Sequence, residues 1–481
     1  MSNLNLLKLR KPAKLLVFFL TGSLLVSCTH LSYVAKPLDQ QAIISKLISK
    51  DPASSEFNAY LKSQGFRQLP IQSWSLKELT YCAMFFNPKL EVAKAKYSTT
   101  LASINTANQR QTTTINGKLG HSNLRNGDNS PWAYDLGLDI PIETMSKRQI
   151  RTEQAEYEAE IAHIEIAEIA WQLHSQIANE LIDYHQSIAN ADLLKKELAL
   201  QNAILNMLFK RYKLGILSSS EFNTAKLQQQ KASQILNAEQ ARQPELRAKL
   251  AASVGLTSEK FNTLQLTPLD LDAALKKQST DNLNDPGKFK ILQRNALLNR
   301  LDIRVSLARY AVAESKLKLE IAKQYPDITL SPSFAFEFGD SIWSLGISSL
   351  LNMLNKNTSL IAEATSLREV EAAQFNALQT KVINELSQAQ VAYKATSTEI
   401  AKAQEGLNVQ LQLNQQLQKQ LDNGLIDRLE LTSNQLNTIN AEQSLLNSKF
   451  QNLREAFEIE DVMQHPLYND LINGSIDNNE K

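Results

Sequence analysis

The chain has 481 residues, with 51 Lys and Arg against 50 Asp and Glu and a net charge of +1. That balance gives no electrostatic case for nucleic acid as a partner. No HExxH, paired-Cys, GxSxG or phosphate-loop pattern occurs, so the sequence offers no catalytic constellation and reads as a non-enzyme with no cofactor.

Lys8, Arg10, Lys11 and Lys14 precede Leu15 to Val26, which is almost wholly apolar. This is a charged n-region and an h-region too short to span a bilayer. It ends in Leu25-Val26-Ser27-Cys28, which resembles the lipobox of bacterial lipoproteins. The resemblance implies a signal peptide over 1–27 and a lipid on Cys28, and Thr29 in place of Asp points to the outer membrane. Acyl chains anchor without spanning. With Cys28 acylated, Cys82 stands alone and no intramolecular disulfide is available. Cys82 lies in the apolar run Tyr81 to Phe86 and reads as packed. Residues 28–74 are polar, broken by Pro37, Pro52, Gly65 and Pro70, and are expected to be a lipidated tether. No apolar run of 18 residues follows the leader, so no transmembrane helix is expected.

The rest of the chain is a duplication, which has to be recognised before any fold is assigned. Gly215 and Gly424 are 209 residues apart, and at that offset Ala155 falls on Ala364, Gly137 on Gly346, Tyr184 on Tyr393 and Leu236 on Leu445. Earlier in each half the offset is 213, with Val92 on Val305 and Tyr97 on Tyr310. The difference sits where Asn126 to Pro131 is longer than Phe338 to Ser341, a surface-loop indel of the kind duplicated units tolerate. The first repeat is expected over 75–254 and the second over 291–465. Between them 255–290, broken by Pro268, Pro286 and Gly287, is a linker, and 466–481 reads as a disordered tail.

Each repeat carries two alternating runs, at about 113–121 and 132–142, then at about 327–338 and 342–350. Tyr134, Leu136, Leu138, Ile140 and Ile142 alternate with Asp135, Gly137, Asp139 and Pro141. Trp343, Leu345 and Ile347 alternate with Ser344, Gly346 and Ser348. Period two with one greasy and one wet face marks a strand. Each run has about the ten residues that a tilted membrane strand needs. Four strands cannot close a barrel, and open edges are excluded from hydrocarbon, so copies of the chain must share one. Long helices follow at about 146–212 and 355–422, with turns near 215 and 424 and returning helices after them. Leu173, Ile177, Leu181, Tyr184 and Ile188 form an apolar stripe. About 65 residues make a rod of about 100 Å, and its other face is crowded with Gln, Asn, Glu and Lys.

The opening Trp74-Ser75-Leu76-Lys77-Glu78-Leu79 with Asn87-Pro88-Lys89-Leu90 is similar to the TolC family of outer-membrane efflux proteins, and the resemblance runs to about residue 465. Pro141-Ile142-Glu143 with Lys147, Arg148 and Arg151, and Tyr325-Pro326-Asp327 with Asn355-Lys356-Asn357, resemble its CzcC-like, cobalt–zinc–cadmium branch. The resemblance implies a mainly α fold with a small β part: two tandem repeats of long antiparallel coiled-coil helices and four membrane strands per chain. A homotrimer would then complete a 12-stranded barrel above an α-helical tunnel. The linker 255–290 would be the family's equatorial collar. The implied function is a passive exit duct of a tripartite efflux pump, lipid-anchored in the outer membrane with a long periplasmic extension. Its partners would be a periplasmic adaptor and an inner-membrane pump of RND or ABC type. A type I secretion duct and a non-conducting periplasmic scaffold are the alternatives.

Function should concentrate at the turns. Tyr212, Leu214, Gly215, Leu217 and Ser218, with Leu421, Gly424, Leu425 and Ile426, are the expected adaptor contacts. Glu221 and Glu430 match the family's acidic position six after the turn Gly, which implies an acidic ring at the entrance; each also suits its helix N-terminus. Some members latch the entrance with a Tyr three before and an Arg two after the second Gly. Leu421 and Ile426 stand there, so the latch is absent or replaced, with Arg428 and Arg211 as candidates. His163, His174 and His185 recur every eleven residues. That rise of about 16 Å is too great for one metal, whose ligands lie within about 2.1 Å, so they read as interhelical or surface histidines.

Overall fold

The computed structural model describes residues 32–123, 130–280, 286–337, 339–349 and 356–464. Cys28, the leader, most of the 126–131 loop, Phe338, Asn355 and the tail lie outside the described residues. The chain divides into two compact units, Met1–Ser49 and Lys50–Lys481. The described part of the first contains α1 (Gln40–Ile48), capped by Asp39, whose carboxylate accepts from the Gln41 and Ala42 amides.

The second unit opens with α2 (Ser55–Ser63), α3 (Leu76–Phe86) and α4 (Pro88–Ala107). Ser54 caps α2, and Asn87 ends α3 while capping α4, with Pro88 at the position where its missing N–H costs nothing. From Lys50 on, the segment expected as a tether belongs to this second unit. Phe57 and Leu61 are fully buried, and the Trp74 amide and carbonyl pair with Gln265 and Thr267. Spacing of four places Phe57 and Leu61 on one face of α2, but a helix of two turns between prolines leaves too short a period to read.

Strands β1 (Thr114–His121) and β2 (Trp132–Ile142) lead into α5 (Lys147–Lys213) and its return α6 (Ser219–Val254). The connecting segment holds α7 (Ser258–Asn262), α8 (Leu271–Thr280) and the start of α9 (Pro286–Asn299). Then α10 (Leu301–Ala322), β3 (Ile328–Glu337), β4 (Asp340–Ser349), α11 (Thr358–Asp422) and α12 (Arg428–Met463) repeat the plan. The two long helices have 67 and 65 residues, and each returning helix has 36. Both strand-to-helix junctions carry two consecutive left-handed residues, Met145 and Ser146 in one and Lys356 and Asn357 in the other. The duplication therefore extends to the backbone conformation of its joints.

The core sits partway along the rods. Leu173, Ile177 and Leu181 of α5 belong to one buried cluster with residues of α3, Phe261 of α7, Leu250 and Val254 of α6, Leu386 of α11 and Leu453 and Ile459 of α12. Leu173 lies about 40 Å from the start of its helix and about 60 Å from its end. Gly255 makes the tight exit from α6: at φ 85°, a Cβ there would stand 2.8 Å from Asn87 Cα and from the Phe86 carbonyl. Ile188 ends the apolar stripe half in solvent.

Candidate functional site

The four strands form one antiparallel sheet in the order β1-β2-β3-β4, so β1 and β4 are its edges. Its register sorts the side chains into two faces. Tyr134, Leu136 and Leu138 face Leu119, Gly117 and Ile115 across β1, and Phe336 and Phe334 lie beside Tyr134 and Leu136 across β3. Trp343 packs its ring on Phe334 at 4.7 Å, and Tyr134 stacks on Phe336 at 5.0 Å. Among the described residues no helix covers this face: Leu119 is 76%, Leu345 66%, Ile347 70% and Trp343 81% exposed. Among the described residues no helix is long and apolar enough to cross a membrane. Contiguous apolar surface of this extent on a folded chain marks a binding or membrane face.

The opposite face is wet and small. Asp135, Gly137 and Asp139 are flanked by Asn116 and Lys118 on one side and by Ser331, Ser333, Ser344 and Gly346 on the other. Gly137 and Gly346, matched in the duplication, sit against β3 where a Cβ would lie 3.3 and 3.2 Å from Ser333 and Ser331 Cβ. The sheet is bolted to the helices at its inner end. Lys147 Nζ, nearly buried, donates to the Tyr325 carbonyl at 2.6 Å and to Asp327 at 2.7 Å. Arg151 pairs with Glu143 at the same joint.

At the far end of the rods the two turns share one geometry. Gly215 and Gly424 have φ of 73° and 71°. The Gly215 amide donates to Tyr212 and the Ile216 amide to Arg211, and Gly424 and Leu425 repeat this with Leu421 and Gln420, all at 2.9–3.0 Å. A left-handed residue closing a helix with those two backbone bonds is a glycine C-terminal stop. Beyond each turn a short polar side chain caps the next helix, Ser218 accepting from the Glu221 amide and Asp427 from the Glu430 amide.

The chemistry of the two turns differs. In the first, Tyr212 stacks flat on Phe222 at 5.1 Å, and Lys213 lies over Phe209 at 4.6 Å. Their counterparts at offset 209 are Leu421, Leu431, Asp422 and Gln418. The first turn is thus aromatic and basic, and the second aliphatic and acidic. They are tied together by Arg211, which donates to Asp427 at 2.5 Å. That guanidinium, together with the Glu430 amide, holds the Asp427 carboxyl below the usual carboxylate range.

Leu214, Gly215, Leu425 and Gly424 are exposed, Tyr212 and Ser218 are open at the same end, and Leu217, Leu421 and Ile426 are half-buried. Glu221 is engaged locally. The Ser218 hydroxyl and amide donate to its carboxylate at 2.7 and 3.0 Å and hold it below its ordinary range. Glu430 is exposed, three residues after its cap.

Of the three histidines, His163 is exposed, whereas His174 and His185 are buried between helices. Burial pushes His185 down to about 4. His174 Nδ1 meets Thr80 Oγ1 at 3.1 Å and its Nε2 stands 3.5 Å from Glu460. Beside it Trp171 donates to Asp461 at 2.8 Å, and further along the seam Arg454 donates to Asp183 at 2.6 Å. This polar seam between α5 and α12 was not read from sequence, because its halves lie more than 250 residues apart. The duplication held a clue: the offset-209 counterparts of His174 and Glu460 are Ile383 and Ala251.

No family model and no curated protein sequence matches the chain. Solved structures do match. The outer membrane protein VceC of Vibrio cholerae superposes with a TM-score of 0.64 at 17% identity, over 81% of this chain and 96% of that one. CusC, described in terms of folding and transmembrane channel formation, gives 0.63 at 12% identity over 91% and 100%. The open state of the Neisseria gonorrhoeae MtrE outer membrane channel gives 0.62 at 14% identity over 82% and 90%. At such identities the likeness is one of fold, and it is the fold that the TolC-family resemblance implied.

Proposed function

We propose that the chain is an outer-membrane exit duct of the TolC family, built as a homotrimer, that conducts passively from periplasm to exterior. The carrying observation is a four-stranded sheet whose greasy face no described helix covers and whose two edges end at β1 and β4, set on rods of about 100 Å. Unpaired edges cannot stand in hydrocarbon, and small membrane barrels begin at about eight strands. Three copies give twelve. The wet face then lines the pore, and the rods continue it across the periplasm. A lipid on Cys28 would add an anchor, and the segment 255–290 would form part of the equatorial collar. Such a chain performs no chemistry, so energy comes from an inner-membrane pump of RND or ABC type through a periplasmic adaptor docked on the turns. The reading is tested by extracting outer membranes and comparing heated with unheated samples on a denaturing gel. A heat-modifiable band at three times the chain mass is expected, and a protein recovered as a monomer from the soluble periplasm supports the scaffold reading instead.

Six turns point into the periplasm in that trimer, three of each chemistry, and match an adaptor of six-fold arrangement. The Arg211–Asp427 pair takes the place of the missing latch by tying the two turns of one chain. Arg211→Ala is expected to raise the open fraction in single-channel records, and an unchanged open fraction would remove this pair from gating. Asp427 has its folded value depressed, so its contribution is present above the ordinary Asp value of about 3.9 and is lost as pH falls through the lowered one. The latch therefore holds across the neutral range. Glu430 has a carboxylate free of the capping bonds that engage Glu221, and it is the better candidate for the entrance ring. Glu430→Ala is expected to weaken cation preference, measured as the reversal potential in a salt gradient.

A further inference from the structure

Among the described residues of the sheet's wet face between the helix joint and the outer turn, Asp139 is the one carboxylate with no basic residue opposite it in register. At the joint Glu143 pairs with Arg151 and Asp327 with Lys147. Within the sheet Asp135 is opposed by Lys118 in direct register. Asp139 is opposed by Thr114. Its carboxylate is held from both sides by neutral donors, Asn116 Nδ2 on β1 and Ser331 Oγ on β3 at 2.6 Å. The residues around it on β3 and β4 are Ser331, Ser333, Gly346 and Ser348, which add no charge and little bulk. Further carboxylates on this face, Glu337 and Asp340, stand opposite each other in register at the outer turn, at the mouth of the sheet rather than within it.

We propose, resting on the duct reading above, that Asp139 is a specificity-determining residue of the β-pore: three copies form a ring of uncompensated carboxylates that favours cationic over anionic solutes. Twelve strands about 4.8 Å apart, tilted by about 40°, close with a backbone radius of about 12 Å. Side chains narrow that opening to a radius near the screening length of about 8 Å at physiological salt. A ring on such a wall reaches the axis, and does so more strongly as salt is lowered. Hydrogen bonds from two neighbouring strands fix the carboxylate on the wall, so its position does not depend on side-chain motion.

The test is the reversal potential of the full-length trimer in planar bilayers, across a KCl gradient, at about 0.01 M and about 1 M salt. Asp139→Asn preserves size and can still accept from Ser331. It is expected to lower the potassium-to-chloride permeability ratio about two-fold in dilute salt and little in concentrated salt, with conductance retained. Lys118→Gln, which removes the charge opposing Asp135, is expected to raise the ratio. If the Asn variant fails to assemble, Asp139→Thr carries the same expectation, since Thr114 already occupies this face. A conducting variant at position 139 with the wild-type ratio at both salts overturns the proposal and leaves the duct standing. A wild-type trimer that inserts and does not conduct overturns the duct itself.

Discussion

Leu345→Arg is expected to abolish assembly in the outer membrane, while Ser344→Arg, one residue away, is expected to leave assembly intact. Both positions are in the middle of β4 and both are exposed in the single chain, so neither change meets a clash. They differ in the face on which they stand. Leu345 lies with Trp343 and Ile347 on the uncovered apolar face, whereas Ser344 meets Ser333 through a hydroxyl contact of 2.7 Å on the wet face. An Arg facing lipid near the bilayer midplane costs about 2–4 kcal/mol per chain, incurred three times in a trimer. On the wet face the same side chain stays in water, where Lys118, Asp135 and Asp139 are already accommodated. The measurement is the amount of heat-modifiable oligomer in outer-membrane extracts. Equal loss of both variants would show that the two faces do not see different solvents.

Gly424→Arg is expected to assemble as well as the wild type and to transport nothing. The glycine is left-handed, and no atom beyond its chain neighbours lies within 4 Å of an added Cβ. The cost to the fold is therefore the conformational penalty alone, about 1 kcal/mol, which a helical rod of this length absorbs. The new side chain instead projects from the turn, into the surface proposed to receive the adaptor. In the native host the variant is expected to show the sensitivity of a deletion strain with normal trimer in the membrane. Gly424→Asn, a residue that tolerates the left-handed region, is expected to retain most transport. Normal transport by the Arg variant would take the turns out of docking.

What the sequence revealed and what it hid divide along physical lines. Alternation along Tyr134 to Ile142 and Trp343 to Ile347 is a local property, and the strands are where it places them. The stripe Leu173, Ile177 and Leu181 is equally local and is buried as its spacing requires. Gly215 and Gly424 declare their turns because a left-handed helix end asks for glycine. Phe57 and Leu61 give no such signal, because two anchors on a short helix make no period. Partners distant in sequence were invisible: Arg211 finds Asp427 at a separation of 216 residues, and His174 finds Glu460 farther still. The competing readings of Glu221 differ by a hydrogen bond, and its carboxylate is engaged by Ser218.

The central claim is that the greasy hairpins of neighbouring chains close around water. Single-channel recording of the purified full-length protein in a planar bilayer tests it most directly. Discrete, uniform conductance steps, each from one inserted trimer, are the expected result. Protein that enters the bilayer as an oligomer and produces no steps, at any voltage that the membrane withstands, would contradict it.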